Sequence, residues 1–127
     1  MVKTVIDASA LLALLNREPG ADIVEQALPG GVMSAVNVTE VVAKLSEFGI
    51  PDKAIHQAIK PLGLEVIPFS EEQAYHAGLL RTTTKNIGVS LGDRACLSLA
   101  KMQELTVLTA DRAWVSLSIG VTIKVIR

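Results

Sequence analysis

The chain has 127 residues and a formal net charge of −1, a length that suits one domain spanning residues 1–127 and buries about two thirds of the unfolded surface. The near-neutral balance argues against a protein that holds nucleic acid by overall attraction, leaving room only for a local basic rim. Half of the residues are hydrophobic but only four are aromatic (Phe48, Phe69, Tyr75 and Trp114). The core is therefore built from Leu, Ile, Val and Ala, the palette of a parallel sheet covered by helices.

In chain order, strands alternate with helices. Residues 2–6 read as a strand and 9–16 as a helix that stops before Glu18-Pro19-Gly20. A second helix, Ala21 to Leu28, ends at Pro29-Gly30-Gly31, and residues 32–34 form a short strand. The helix from Val38 to Phe48 carries apolar residues at 38, 41, 42, 45 and 48, one face at helical spacing. Pro51 opens a helix through Ile59, and Leu64 to Ile67 returns as a strand. Ser70-Glu71-Glu72-Gln73 has the form of a capping box for a helix to Thr83, and Thr82 to Asn86 is the longest plausible loop. Ser90-Leu91-Gly92-Asp93 starts a helix from Arg94 to Gln103. The fourth strand, 105–109, is followed by a short helix containing Trp114 and a fifth strand, 122–126.

Helical crossovers favour parallel pairing and are right-handed in nearly all cases. The reading is an α/β fold with a five-stranded parallel sheet flanked by helices. The apolar first strand suits a central position, and a chain that winds one way from it and then jumps back opens a crevice between the first and fourth strands. No run approaches the ~18 apolar residues of a membrane span. The apolar run from Ala8 to Leu15 lacks the flanks of a signal peptide, so a cytoplasmic location is expected. Cys96 is the only cysteine; it cannot form an intrachain disulfide and reads as small core filler.

Four acids, Asp7, Glu40, Asp93 and Asp111, stand at or just past the ends of apolar stretches where helices begin. Parallel strands would bring them together at the carboxyl edge of the sheet, where open α/β folds place their ligand sites. Each also has a plainer reading. Asp7 and Asp111 can be N-caps, and Asn37-Val38-Thr39-Glu40 and Ser90-Leu91-Gly92-Asp93 both fit a capping box. The two readings are compatible, because the positive end of a helix helps to keep a carboxylate ionised and fit for a metal. Mg²⁺ takes oxygen ligands, keeps several waters and is held by one or two carboxylates plus substrate phosphates. The arrangement suits metal-assisted phosphodiester hydrolysis. Zinc fits less well, since His56 and His76 lie within helices and no His/Cys spacing resembles a zinc site.

These residues carry a resemblance. Val5-Ile6-Asp7-Ala8-Ser9-Ala10-Leu11-Leu12-Ala13-Leu14, Asn37-Val38-Thr39-Glu40-Val41, Ser90-Leu91-Gly92-Asp93-Arg94-Ala95-Cys96-Leu97 and Leu108-Thr109-Ala110-Asp111-Arg112 resemble the PIN-domain nucleases, and within them the VapC-type toxins of bacterial toxin-antitoxin modules. The similarity spans essentially the whole chain. It implies an endoribonuclease dependent on Mg²⁺, or Mn²⁺ as a substitute, usually a homodimer held inactive by a small antitoxin. Asp7, Glu40, Asp93 and Asp111 match the metal-binding acids, and Thr109 matches the hydroxyl residue before the last of them. Some members carry a further acid beyond the Asp111 position; Trp114-Val115-Ser116 offers none.

Ser9 could support a metal ligand or a phosphate, or simply occupy the first turn of its helix. Arg94, Arg112 and Lys85, with Arg81, are candidate RNA contacts, each with a plain reading as a solvated helix or loop residue. Tyr75 and Trp114 read as core or interface packing before base stacking. Two other Mg²⁺-dependent classes fit poorly: a receiver domain needs adjacent acids after the first strand, where Asp7-Ala8 stands. A haloacid-dehalogenase-like phosphatase needs a second Asp where Ser9 stands. The remaining alternative is a catalytically inactive PIN fold used for binding.

Overall fold

In the computed structural model, which describes residues 2–127, the chain alternates strands and helices. β1 (Thr4–Ile6) leads into α1 (Ala8–Leu15) and α2 (Ala21–Ala27); β2 (Gly31–Ser34) is followed by α3 (Ala35–Glu47) and α4 (Asp52–Ile59). β3 (Glu65–Ile67) precedes α5 (Glu71–Thr84) and α6 (Leu91–Gln103). β4 (Thr106–Thr109), a single-turn helix at Arg112–Ser116 and β5 (Ile123–Val125) complete the chain.

All pairings are parallel and the strand order is β3-β2-β1-β4-β5. The chain winds outward from β1 through β2 to β3, then crosses back to lay β4 on the other side of β1. The order in which strands are added reverses between β1 and β4, so a crevice forms at their carboxyl ends. This is the expected five-stranded parallel sheet.

Successive strand side chains point to opposite faces, and here both faces are covered. Ile6, Met33 and Leu108 join Leu11, Leu14, Val24, Val41, Leu45 and Ile55 from α1–α4 in one core. Val5, Val32 and Val107 join Leu80, Cys96, Leu97, Leu99 and Trp114 on the other face, under α5 and α6. Burial on both sides explains why the strands read as continuous apolar runs. Cys96 is free and buried, and Trp114 is fully buried, so both pack as core. Tyr75 stays 71 % exposed and belongs to no core.

Several boundaries shift from the sequence expectation, and three of the differences bear on the site or have a plain side-chain cause. α3 starts at Ala35 and not Val38, because Ser34 accepts a hydrogen bond from the Val36 N–H and caps the helix earlier. Asn37 is therefore inside the first turn and caps nothing. α5 runs through Thr82–Thr84, which had the look of a loop. These threonines are poor helix formers, but each hydroxyl donates back to a carbonyl of the preceding turn, at Leu79 or Leu80. α6 starts at Leu91, which puts Asp93 within its first turn. The expected apolar face of α3 is only half used: Val41 and Leu45 are buried, whereas Val42 and Phe48 are exposed.

Candidate metal centre

The parallel sheet and the crossover bring four acids from distant parts of the sequence to one cavity of about 380 Å³, lined by Asp7, Ala8, Ser9, Leu12, Glu40, Ala43, Lys44, Glu47, Asp93 and Asp111. Asp7 follows β1, Glu40 projects from α3, Asp93 from the first turn of α6, and Asp111 follows β4. All four expected site acids share this cavity.

Asp7 is the buried member, at 3 % exposure. Its backbone stands at the N-cap of α1, yet its side chain makes no capping bond. Instead Oδ2 accepts from the Ser9 hydroxyl at 2.6 Å and the Thr109 hydroxyl at 2.9 Å. Burial pushes the Asp7 carboxyl from 3.8 up to about 6; the two hydroxyl donors pull it down, and the charges of Asp93 and Glu40 push it further up. Desolvation that disfavours the charged form, with like charges nearby, is what a cation would relieve. The same burial, then the charges of Asp7, Asp93 and Glu40, push the thiol of Cys96 well above its ordinary range.

Thr109 is fully buried and works in two directions. It donates to Asp7 and accepts from the Asp111 N–H at 3.1 Å. Ser9 likewise accepts from the Ala110 N–H at 2.9 Å. The strand ends carrying Asp7 and Asp111 are thus stitched by hydroxyls. Asp93 and Asp111 combine site and cap: Asp93 shares a reciprocal capping box with Ser90, and Asp111 accepts from the Ala113 N–H. The plain reading as caps is correct for these two and does not remove them from the cavity.

Asn37 is fully buried and donates from Nδ2 to Glu40 Oε1 at 2.8 Å and to the Gly92 carbonyl at 2.9 Å. Lys44 and Glu47 also line the cavity, one and two turns beyond Glu40 on α3. Sequence reading passed over all three. Extending the helical face from Glu40 to positions i+4 and i+7 would have found Lys44 and Glu47; the Asn37 contact with Gly92 spans 55 positions and leaves no local signal.

The proposed RNA contacts lie elsewhere. Arg94 donates from Nη1 to the Ala77 carbonyl, tying α6 to α5. Arg112 donates to the carbonyl of Arg127, and Lys85 is an exposed residue at the end of α5. None of them lines the acidic cavity. His76 meets Ser98 through Nδ1 at 2.9 Å. A larger cavity, about 580 Å³, lies between α3, α4 and β3, lined mainly by Val38, Val42, Ile55, Ile59, Leu64 and Val66. Its only acid is Asp52, so the smaller cavity is the candidate centre.

The donor set fits a hard divalent cation: carboxylates and hydroxyls, all oxygen. Among the described residues no three His, Cys, Asp or Glu side chains are grouped tightly enough to enclose an ion. Mg²⁺ commonly takes one or two carboxylates at a time and completes its shell with water and substrate oxygens, a requirement that four acids around one cleft can meet without such a grouping.

Fold and site together define an α/β domain with an acidic, oxygen-donor cleft at its topological switch point. The PIN domain model matches residues 4–119, nearly the whole chain, and the protein belongs to the PIN domain family. No curated protein is a significant sequence match. Among solved structures, the chain is similar to VapBC2 from Rickettsia felis, bound to a DNA fragment from its promoter, with a TM-score of 0.76 and 17 % identity over 98 % of both chains. FitAcB from Neisseria gonorrhoeae gives 0.70 and 23 %, covering 94 % of this chain and 95 % of that one. VapBC-5 from Mycobacterium tuberculosis, of the VapBC family of toxin-antitoxin systems, gives 0.62 and 19 %, covering 100 % and 99 %. At these identities the likeness is one of fold. No helix of the described chain is long and apolar enough to cross a membrane.

Proposed function

We propose that the protein is a VapC-type toxin of a toxin-antitoxin module, a cytoplasmic endoribonuclease that uses Mg²⁺ or Mn²⁺ held by Asp7, Glu40, Asp93 and Asp111. The observation that carries the reading is the convergence of these four acids on one cavity, with Asp7 buried and its carboxyl raised to about 6. A carboxylate held in so unfavourable a setting makes sense when a cation shares it.

A bound divalent ion supplies an activated water and neutralises charge that builds on the phosphodiester. The chain's own part is positioning. Ser9 and Thr109 hold one oxygen of Asp7, Ser90 N–H holds one oxygen of Asp93, and Asn37 holds one oxygen of Glu40. Glu47 adds a fifth carboxylate to the wall, from α3 and not from the segment after Asp111. Lys44, the single cation lining this cavity among the described residues, is placed to meet a substrate phosphate. A small antitoxin partner is part of this proposal, supported by the likeness to toxin-antitoxin structures, and a homodimer is proposed from the family resemblance.

The test is cleavage of total RNA by purified protein with Mg²⁺ or Mn²⁺, against EDTA and against Asp7→Asn. Metal-dependent cleavage that Asp7→Asn abolishes is the expected result. Equal cleavage by both proteins would remove Asp7 from the site, and no cleavage of any RNA would favour a PIN fold used only for binding. Co-purification with a small protein encoded alongside would identify the antitoxin, and light scattering would give the oligomeric state.

A further inference from the structure

Glu40, like Asp7, is an acid on the cavity wall whose place is tied to another part of the fold. Asn37, one turn earlier on α3, spends both hydrogens of its amide at once. One goes to Glu40 Oε1 at 2.8 Å, the other to the Gly92 carbonyl at 2.9 Å in the first turn of α6. The amide orientation is set by these neighbours, because flipping it would turn the amide oxygen onto two acceptors. Asn37 is fully buried and its Oδ1 has no partner among the described residues. Leaving a buried acceptor unpaired costs folding energy, so an apolar residue would serve packing better at this point.

Gly92 completes the arrangement from the other side. It is buried, and a Cβ there would overlap the Glu40 carboxylate. The carboxylate lies directly against the backbone of α6, beside Asp93. Only glycine leaves that space, and only a donor at Asn37 bridges the two helices.

We propose that Asn37 and Gly92 form a clamp in which Asn37 is a positioning residue, fixing Glu40 against the start of α6 so that Glu40 and Asp93 serve one divalent cation. The proposal rests on the metal-site reading above. Asn37 acts through Glu40 and touches no substrate.

The experiment is Mn²⁺ titration of the purified chain by calorimetry, with the electron paramagnetic resonance line shape of the bound ion as a second readout. Asn37→Ala is expected to weaken Mn²⁺ binding roughly 10- to 100-fold, the usual effect of losing a group that orients a metal ligand, and to alter the line shape. In a Glu40→Gln background the same substitution is expected to add nothing, because the carboxylate it orients is already gone. Unchanged affinity in Asn37→Ala, or a full further loss in the Glu40→Gln background, would overturn the clamp. Should Asn37→Ala not fold, Gly92→Ala, which displaces Glu40 from the opposite side, takes its place in the same cycle, and wild-type affinity there would overturn it equally. No Mn²⁺ binding by the wild-type chain would overturn the metal-site reading and the clamp together; wild-type binding shared by the variants would overturn the clamp alone.

Discussion

Replacing Asp7 by Asn should make the metal-free protein more stable while destroying its metal response. In the folded chain the Asp7 carboxyl is raised from 3.8 to about 6, mainly by burial. At about 1.4 kcal/mol per pKa unit, ionising it in the fold rather than in the unfolded chain costs about 3 kcal/mol. The sign follows from proton binding. Between pH 4 and 6 the folded state holds this proton more tightly than the unfolded state, so this group's contribution falls as pH rises through that window and is fully lost above it. Asn keeps an oxygen for the Ser9 and Thr109 hydroxyls and never ionises. In EDTA, Asp7→Asn and the wild type should therefore be nearly equal in stability at pH 4, and the variant should lead by up to about 3 kcal/mol at pH 7.5. Urea unfolding at the two pH values measures this. Adding Mg²⁺ at about 100 times its Kd should return about 2.7 kcal/mol to the wild type and none to the variant. A variant that is no more stable than the wild type at pH 7.5, or a gap of the same size at both pH values, would refute the reasoning.

Other outcomes follow from neighbouring residues. Thr109→Val keeps the shape but removes the donor to Asp7 and the acceptor for Asp111 N–H. A loss of about 1–3 kcal/mol is expected, larger at pH 7.5 than at pH 4 because the bond to Asp7 is charge-assisted only when the carboxyl is ionised; equal losses at both values would count against it. The Cys96 thiol, fully buried and raised in pKa, should react with a thiol reagent only as fast as the native fold opens, so rapid labelling of folded protein would contradict its placement. Lys44→Met should raise the KM for RNA several-fold and lower the salt dependence of binding by about one ion, whereas an unchanged salt slope would show that Lys44 meets no phosphate.

The fold was largely legible because its signals are local. Apolar runs such as Val5-Ile6 and Val107-Leu108 mark strands buried on both faces, and Pro-Gly punctuation marks the ends of helices. Asp7, Asp93 and Asp111 were legible for the same reason, each standing at an element boundary that parallel pairing sends to one edge, whereas Glu40, expected at a helix start, lies in the second turn of α3 and reaches the cavity from inside the helix. Boundaries failed where a single side chain overrode propensity. Ser34 capped α3 three residues early, and the Thr82–Thr84 hydroxyls bonded back into their own helix. The supporting residues were the least legible. Arg94 looked like a cation for phosphate because it follows Asp93, but it is turned toward the Ala77 carbonyl, 17 positions away in sequence. Asn37 fitted a cap motif, while its partner Gly92 is chosen by how α3 packs on α6. Contacts of that kind depend on the assembled core, and no periodicity announces them.

The sheet order has a consequence for how such a molecule is made. β1 is synthesised well before β4, its partner in the sheet, and the Asp7 carboxylate is held by Thr109 from across that pair. A nascent chain that stops short of β4 has neither this hydroxyl nor Asp111, and its central strand lacks one neighbour. The acidic cleft therefore comes into being only when β4 docks on β1, so that the central pairing of the sheet and the full set of four acids are completed in one event.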